Sequence, residues 1–132
     1  MYKEIVISIL IVITIVLGDY FTQGYTEKSM TELQQELAIF QNMVKEKIQN
    51  SENTEDLNQK LEEIHKQWDE MYTKLAYYIE HDELEKIETE LMEMKGKIQI
   101  KLYEETVPEI EKSIFILQHI KDKERLMIQN IF

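Results

Sequence analysis

Imidazole and carboxylate groups crowd one short run, His81-Asp82-Glu83-Leu84-Glu85, and a second imidazole, His119, lies further along the chain. Mixtures of His and carboxylate suit zinc, manganese or iron, and facing helices of a bundle can bring such side chains together. The candidate metal ligands are therefore His81, Glu83 and His119. A plainer role is open to the same residues: Asp82 and Glu85 have the spacing of a helix capping box, His81 would end the preceding helix, and His119 would bond a nearby carboxylate. Axial register separates the two readings. If the last helix starts at Thr106, antiparallel pairing puts His119 level with Glu88, about 10 Å along the axis from His81; a start near Leu102 puts it level with Glu83. The sequence allows either start.

Other chemistry is sparse. The chain has no cysteine, which excludes disulfides and thiolate metal sites. It contains no G-x-S-x-G, Walker loop, H-E-x-x-H or EF-hand pattern. No nucleophile is marked, no cofactor is called for, and an enzyme is not expected. His65 and Asp69 stand four apart as a surface hydrogen-bonding pair. Trp68, Tyr72, Tyr77 and Tyr78 could line a ligand pocket, but aromatics at heptad spacing usually form core.

The elements that must position these residues are helical. Leu57, Leu61, Ile64, Trp68, Met71, Leu75 and Tyr78 follow alternating steps of four and three without a miss, the pattern of a bundle or coiled-coil helix. Leu84, Ile87, Leu91, Met94 and Ile98 make the next stripe. The short corner Glu80-His81-Asp82 between them makes the two helices antiparallel neighbours. Upstream, Met30, Leu33, Leu37, Phe40 and Val44, extended by Ile48, make a further stripe, with Ser29 and Glu32 as a capping box. Asn50 to Thr54 reads as a loop, with Asn53 or Thr54 capping the following helix. Thr106 and Glu109 cap the last helix, which holds Pro108 near its start and Ile110, Ile114 and Leu117 on one stripe, widening through Phe115, Ile116 and Ile120. The fold class is all-α: an N-terminal transmembrane helix followed by an antiparallel bundle of about four helices.

Residues 5–17 are apolar apart from Ser8 and Thr14, and extension through Phe21 gives a helix about 25 Å long. Tyr20, Phe21 and Tyr25 suit a membrane interface. The expectation is a single-pass membrane anchor over residues 1–25, inserted through residues 5–21, and an acidic helical domain over 26–132. A cleaved secretory peptide is the competing reading, with Val16-Leu17-Gly18 as cleavage site, but only Lys3 and the free amine supply positive charge before the apolar run. Lys3 before that run and only Lys28 soon after it favour an inside N-terminus and a domain outside the cytoplasmic membrane.

Charge limits the partners. Of the 132 residues, 26 are Asp or Glu and 15 are Lys or Arg, for a formal charge of -11. Such a surface repels phosphate backbones, so nucleic acid is not an expected partner, and no polybasic patch for anionic lipid is present. Three Gly and one Pro leave few helix breakers. The apolar C-terminal residues Ile128, Ile131 and Phe132 are the candidate protein-binding positions.

The apolar segment ending in Gly18-Asp19, the runs Tyr78-Ile79-Glu80-His81-Asp82-Glu83-Leu84-Glu85 and Phe115-Ile116-Leu117-Gln118-His119-Ile120-Lys121, and the terminal Asn130-Ile131-Phe132 resemble a bacterial family of uncharacterised proteins. It is domain-of-unknown-function family 4363, found mainly in spore-forming Gram-positive bacteria. The resemblance implies a small membrane-anchored helical protein and transfers no catalytic residue. Three functions then compete: a non-enzymatic interaction or assembly module, docking a protein that could itself be a membrane protein; an extracytoplasmic sensor for a metal ion or small ligand; and, as an outsider, a hydrolase using the His and carboxylate cluster.

Overall fold

Four helices account for the structure, a computed structural model that describes residues 1–50 and 55–131, the side chains of Glu55, Ile128 and Ile131 excepted. They are α1 (Tyr2–Gln49), α2 (Glu55–Leu75), α3 (His81–Gln99) and α4 (Tyr103–Ile131). The expected capping residues Asn53 and Thr54 lie outside the described residues.

The apolar segment and the first bundle helix are one element. α1 runs for 48 residues without a break, about 72 Å at 1.5 Å per residue. No proline interrupts it, and a lone glycine such as Gly24 costs only about 1 kcal/mol relative to Ala. Ser29 and Glu32 therefore cap nothing: Ser29 is a buried residue in mid-helix. The first half of α1, long and apolar enough to cross a membrane, stands clear of the bundle, and none of its most apolar window is buried.

The bundle is up-down-up-down. Across three of the four packed helix pairs, residue numbers rise on one side as they fall on the other, the mark of antiparallel packing. α1 meets α4 through Glu27 with Arg125, Gln34 with Gln118 and Gln41 with Glu111. α2 meets α3 through Glu62 with Lys95, His65 with Glu88 and Tyr72 with His81. α3 meets α4 through Glu83 with Lys123, Glu90 with Lys112 and Lys97 with Glu109. The α1 and α4 partners each recur every seven residues, as do Glu83, Glu90 and Lys97 on α3. These positions flank the core stripe, where heptad patterning places inter-helix pairs that fix register. Each helix packs against two others, with α1 and α3 on one diagonal and α2 and α4 on the other.

The expected stripes on α1, α2 and α3 form the core, with Phe40, Leu61, Trp68, Leu84 and Leu91 among its fully buried members, except that α2 ends at Leu75 and Ile79, not the partly buried Tyr78, completes the core at the turn. Three other expectations need correction. Ile48 is partly exposed, one turn beyond the packed stripe. Phe115 does not widen the α4 stripe but points outward, 72% exposed; the inward face of α4 instead includes Thr106, Ser113 and Lys121. Thr106 and Ser113 satisfy their hydroxyls by donating to the carbonyls of Leu102 and Glu109 at 2.9 Å, which lets small polar residues sit in a core. Finally, α4 begins at Tyr103 rather than at a Thr106 cap, with Pro108 inside the helix.

The α3–α4 connection is a Schellman ending without glycine. Leu102 N–H donates to the Lys97 carbonyl and Lys101 N–H to that of Ile98. Lys101 takes the left-handed conformation, φ 62°, that this motif ordinarily gives to Gly.

Candidate functional site

His81 is the first residue of α3, not the last of α2, and its corner is closed differently from the expected capping box. Glu80 occupies the N-cap with no side-chain cap bond, and the Glu85 carboxylate is taken by His81 Nε2 at 2.8 Å. A carboxylate only accepts, so Nε2 carries the proton; in the neutral ring Nδ1 then accepts from the Tyr72 hydroxyl, also at 2.8 Å. The Tyr72 ring stands edge-on to His81 and to Trp68. Both imidazole nitrogens are thus engaged within the protein, at the exposed end of an aromatic row that begins in the core.

Glu83 faces elsewhere. Residues two apart on a helix point in nearly opposite directions, and Glu83 turns into the α3–α4 seam toward Lys123 at 3.5 Å and Lys86 at 3.7 Å. The α3–α4 pairs put His119 level with residues 83–87, as an early start for α4 requires. Its direction differs: it lies two residues from buried Leu117 and projects to solvent. The fold gives the three candidate ligands similar heights and sends them to three different faces.

His65 bonds Glu88 at 3.4 Å across the α2–α3 seam instead of pairing with Asp69. The Glu62-x-x-His65 spacing is of the kind used in metal-binding bundles, but Glu62 is directed to Lys95 on α3.

The fold does assemble one carboxylate group that helix patterning did not single out. Oxygens of Glu90, Glu93 and Glu109 lie within 4.8 Å of one another. Glu90 is 4% exposed and ion-paired with Lys112, while Glu109 accepts from Lys97 at 2.7 Å. Glu90 and Glu109 each retain one buried oxygen without a partner. Burial, and then the facing Glu109 carboxyl, raise the Glu90 pKa above the ordinary carboxylate value; the neighbouring Glu90 carboxyl, and then the hydrogen bond from Lys97, lower that of Glu109. Glu90 thus ionises less readily than a free carboxyl, and Glu109 more readily. Lys97 and Lys112 stand beside the trio and offset part of its negative charge, which weakens its attraction for a metal cation. The signal available in the sequence was the heptad spacing of Glu83, Glu90 and Lys97 beside Leu84, Leu91 and Ile98.

A family model described as "Domain of unknown function (DUF4363)" matches residues 20–131. The chain belongs to this family. No curated protein and no solved structure matches it. The DUF4363 match begins at Tyr20, where α1 passes from its apolar half into the bundle.

That end of the DUF4363 bundle has its own chemistry. The Tyr78 hydroxyl lies 2.9 Å from Thr26 Oγ1 and donates to the Thr22 carbonyl at 3.3 Å, tying the α2–α3 turn to α1. Burial raises its pKa. Lys74 stands 5.2 Å over the Tyr25 ring, a cation–π distance. Arg125 donates to both Glu27 oxygens, at 2.6 and 3.1 Å. Beside it, a hollow of about 680 Å³ is lined by Tyr20, Phe21, Tyr25, Lys28 and Arg125, among others. Lys121, 7% exposed, is held by Thr31 at 2.9 Å and Gln34 at 3.2 Å. The candidate protein-binding residue Phe132 and the side chains of Ile128 and Ile131 lie outside the described residues; the α4 backbone carries positions 128 and 131 to this same end.

Proposed function

We propose that this DUF4363 protein is a non-enzymatic interaction or assembly module tethered to the outer face of the cytoplasmic membrane. In this reading, residues 1–25 are the anchor and residues 26–132 the acidic domain. The observation that carries it is the continuity of α1, whose exposed apolar half passes without a joint into the wall of the bundle. A helix that is apolar all round needs hydrocarbon or protein around it, and a rigid helix holds the domain at a set distance from whatever surrounds that half. Orientation is supported by the Lys3 and Lys28 asymmetry. The alternative, a sensor of a metal ion or small ligand, has less support: His81 and Glu83 are engaged on different faces, and Glu90 and Glu109 already have cations beside them.

Two experiments test the proposal. Protease added to intact spheroplasts should remove the bundle, and full protection would refute the outer-face placement. Cross-linking in native membranes should capture a protein partner, and deletion of residues 128–132 should abolish capture while far-UV circular dichroism stays unchanged. Capture that survives the deletion would remove the C-terminus as the docking element.

A further inference from the structure

We infer that the bundle does not hang free below its anchor but seats its α1-proximal end in the lipid headgroup layer, with Tyr77 at the α2–α3 turn and Leu126 and Met127 on α4 entering the interface beside Tyr20 and Phe21. The inference rests on the reading of α1 as a membrane anchor and adds a second contact with the same bilayer.

Three registers place these residues together. On α1, Leu17 ends the apolar run and Tyr20, Phe21 and Tyr25 follow within eight residues. Extrapolating the α1–α4 pairing of Glu27 with Arg125 and Gln34 with Gln118 brings Leu126 and Met127 level with Thr26 and Tyr25, and the end of α4 level with Phe21. Independently, Tyr78 reaches the Thr22 carbonyl and Lys74 covers the Tyr25 ring, which fixes the α2–α3 turn at the same height. From Phe21, the last residue of the inserted run, Thr22, Tyr25 and Thr26 follow at about 1.5, 6 and 7.5 Å along the helix. The headgroup layer is about 5–7 Å deep on each side of a bilayer. With α1 near the membrane normal, two further elements therefore reach the layer in which the α1 aromatics lie.

The exposed chemistry fits that depth. Tyr77 is 90% exposed, and Leu126 and Met127 are more than half exposed. In water such residues sit at a cost; in an interface, Tyr places its ring among glycerol and acyl groups and its hydroxyl in water. The hollow beside Arg125 is lined by Tyr20, Phe21 and Tyr25 together with Glu27, Lys28 and Arg125, an amphipathic wall suited to the interface rather than an anion site. Since Arg125 is already paired with Glu27, the seat depends chiefly on apolar and aromatic contact and does not require anionic lipid.

The absence of cysteine makes the test direct. Single substitutions Tyr77→Cys, Leu126→Cys, Ile11→Cys and Glu46→Cys in the full chain are labelled with an NBD fluorophore and reconstituted into phosphatidylcholine vesicles. All four sites are exposed, so the fold should be retained, and circular dichroism checks it. A headgroup nitroxide lipid should quench positions 77 and 126 severalfold more than position 46, which lies about 43 Å along α1 from Leu17. An acyl-chain nitroxide should quench position 11. Quenching at 11, with 77 and 126 as bright as 46, would overturn the seat and leave the anchor standing. Labels at 77 and 126 that escape both the headgroup nitroxide and aqueous iodide would mean that another protein surface covers them, which also overturns the seat. No quenching at 11 would overturn the anchor and the seat together.

Discussion

Replacing Glu90 by Gln should make the protein more stable at neutral pH, although it removes one member of an ion pair. In the folded state the Glu90 carboxyl is buried, faces Glu109 and has one oxygen without a partner. Its pKa is raised, first by burial and then by Glu109, against the opposing pull of Lys112. An acid whose folded pKa lies above its unfolded value binds more protons folded than unfolded. Its contribution to stability is therefore fully present below the unfolded pKa, near 4.5, and is lost as pH rises through the folded value. Glu109 has the opposite shift: its contribution is lost as pH falls through its lowered pKa and is already constant above the ordinary carboxylate range. Above the ordinary carboxylate range the local slope thus belongs to Glu90, together with a share of the same sign from Glu124, whose pKa burial also raises. Glutamine keeps the shape of the protonated acid and can donate to Glu109 while its carbonyl accepts from Lys112. The substitution removes a buried unsatisfied acceptor, a cost of about 1–3 kcal/mol. It also loses charge pairing with a lysine whose side chain is 58% exposed, worth about 0–1 kcal/mol. The net expectation is a gain of about 1 kcal/mol near pH 8 that vanishes near pH 4, where the glutamate is itself protonated. Urea unfolding in detergent micelles, followed by circular dichroism at both pH values, measures it. Equal destabilisation at the two pH values would refute the raised Glu90 pKa and leave Glu90 as a plain partner of Lys112.

Two further substitutions test the fold. Lys101→Gly relieves a left-handed backbone position held by a side-chain-bearing residue and should stabilise by about 0.5–1 kcal/mol in the same unfolding assay; a loss would mean that the lysine side chain outweighs its backbone strain. Leu91→Ala, at a fully buried position on α3, should cost about 2–5 kcal/mol and lower the thermal midpoint. A cost below about 1 kcal/mol would show that the α3 stripe is not packed as described.

The apolar stripes, the four helical segments of the bundle and the antiparallel corner were legible in the sequence because each rests on local spacing, whereas the fusion of the first of them with the apolar segment was not. A 3.6-residue period encodes which face of a helix is buried whatever that face meets. The family resemblance could be read for a related reason, since its motifs are helix-corner and helix-face patterns. Local signals also misled: Ser29 with Glu32, Asp82 with Glu85 and Thr106 with Glu109 all have capping-box spacing, and none starts a helix. The same spacing also suits helix interiors, where nothing in the short pattern distinguishes a first turn from a middle one.

What the tertiary structure decided is which residues meet. His119 reaches the height of Glu83 and points away from it, because height depends on register while direction depends on rotation about the axis, and two residues change that rotation by about 200°. Glu90 and Glu109 are separated by a helix end, a left-handed turn at Lys101 and the start of α4, so the two carboxyls face each other only once the polar ladders have fixed the α3–α4 register. By the same ladders, the end of α4 and the turn carrying Tyr77 arrive beside Tyr20 and Phe21. Hydrophobic spacing by itself determined that this protein is a bundle joined to an apolar helix; the pairing of heptad-spaced polar side chains across its seams decided what lies at the junction.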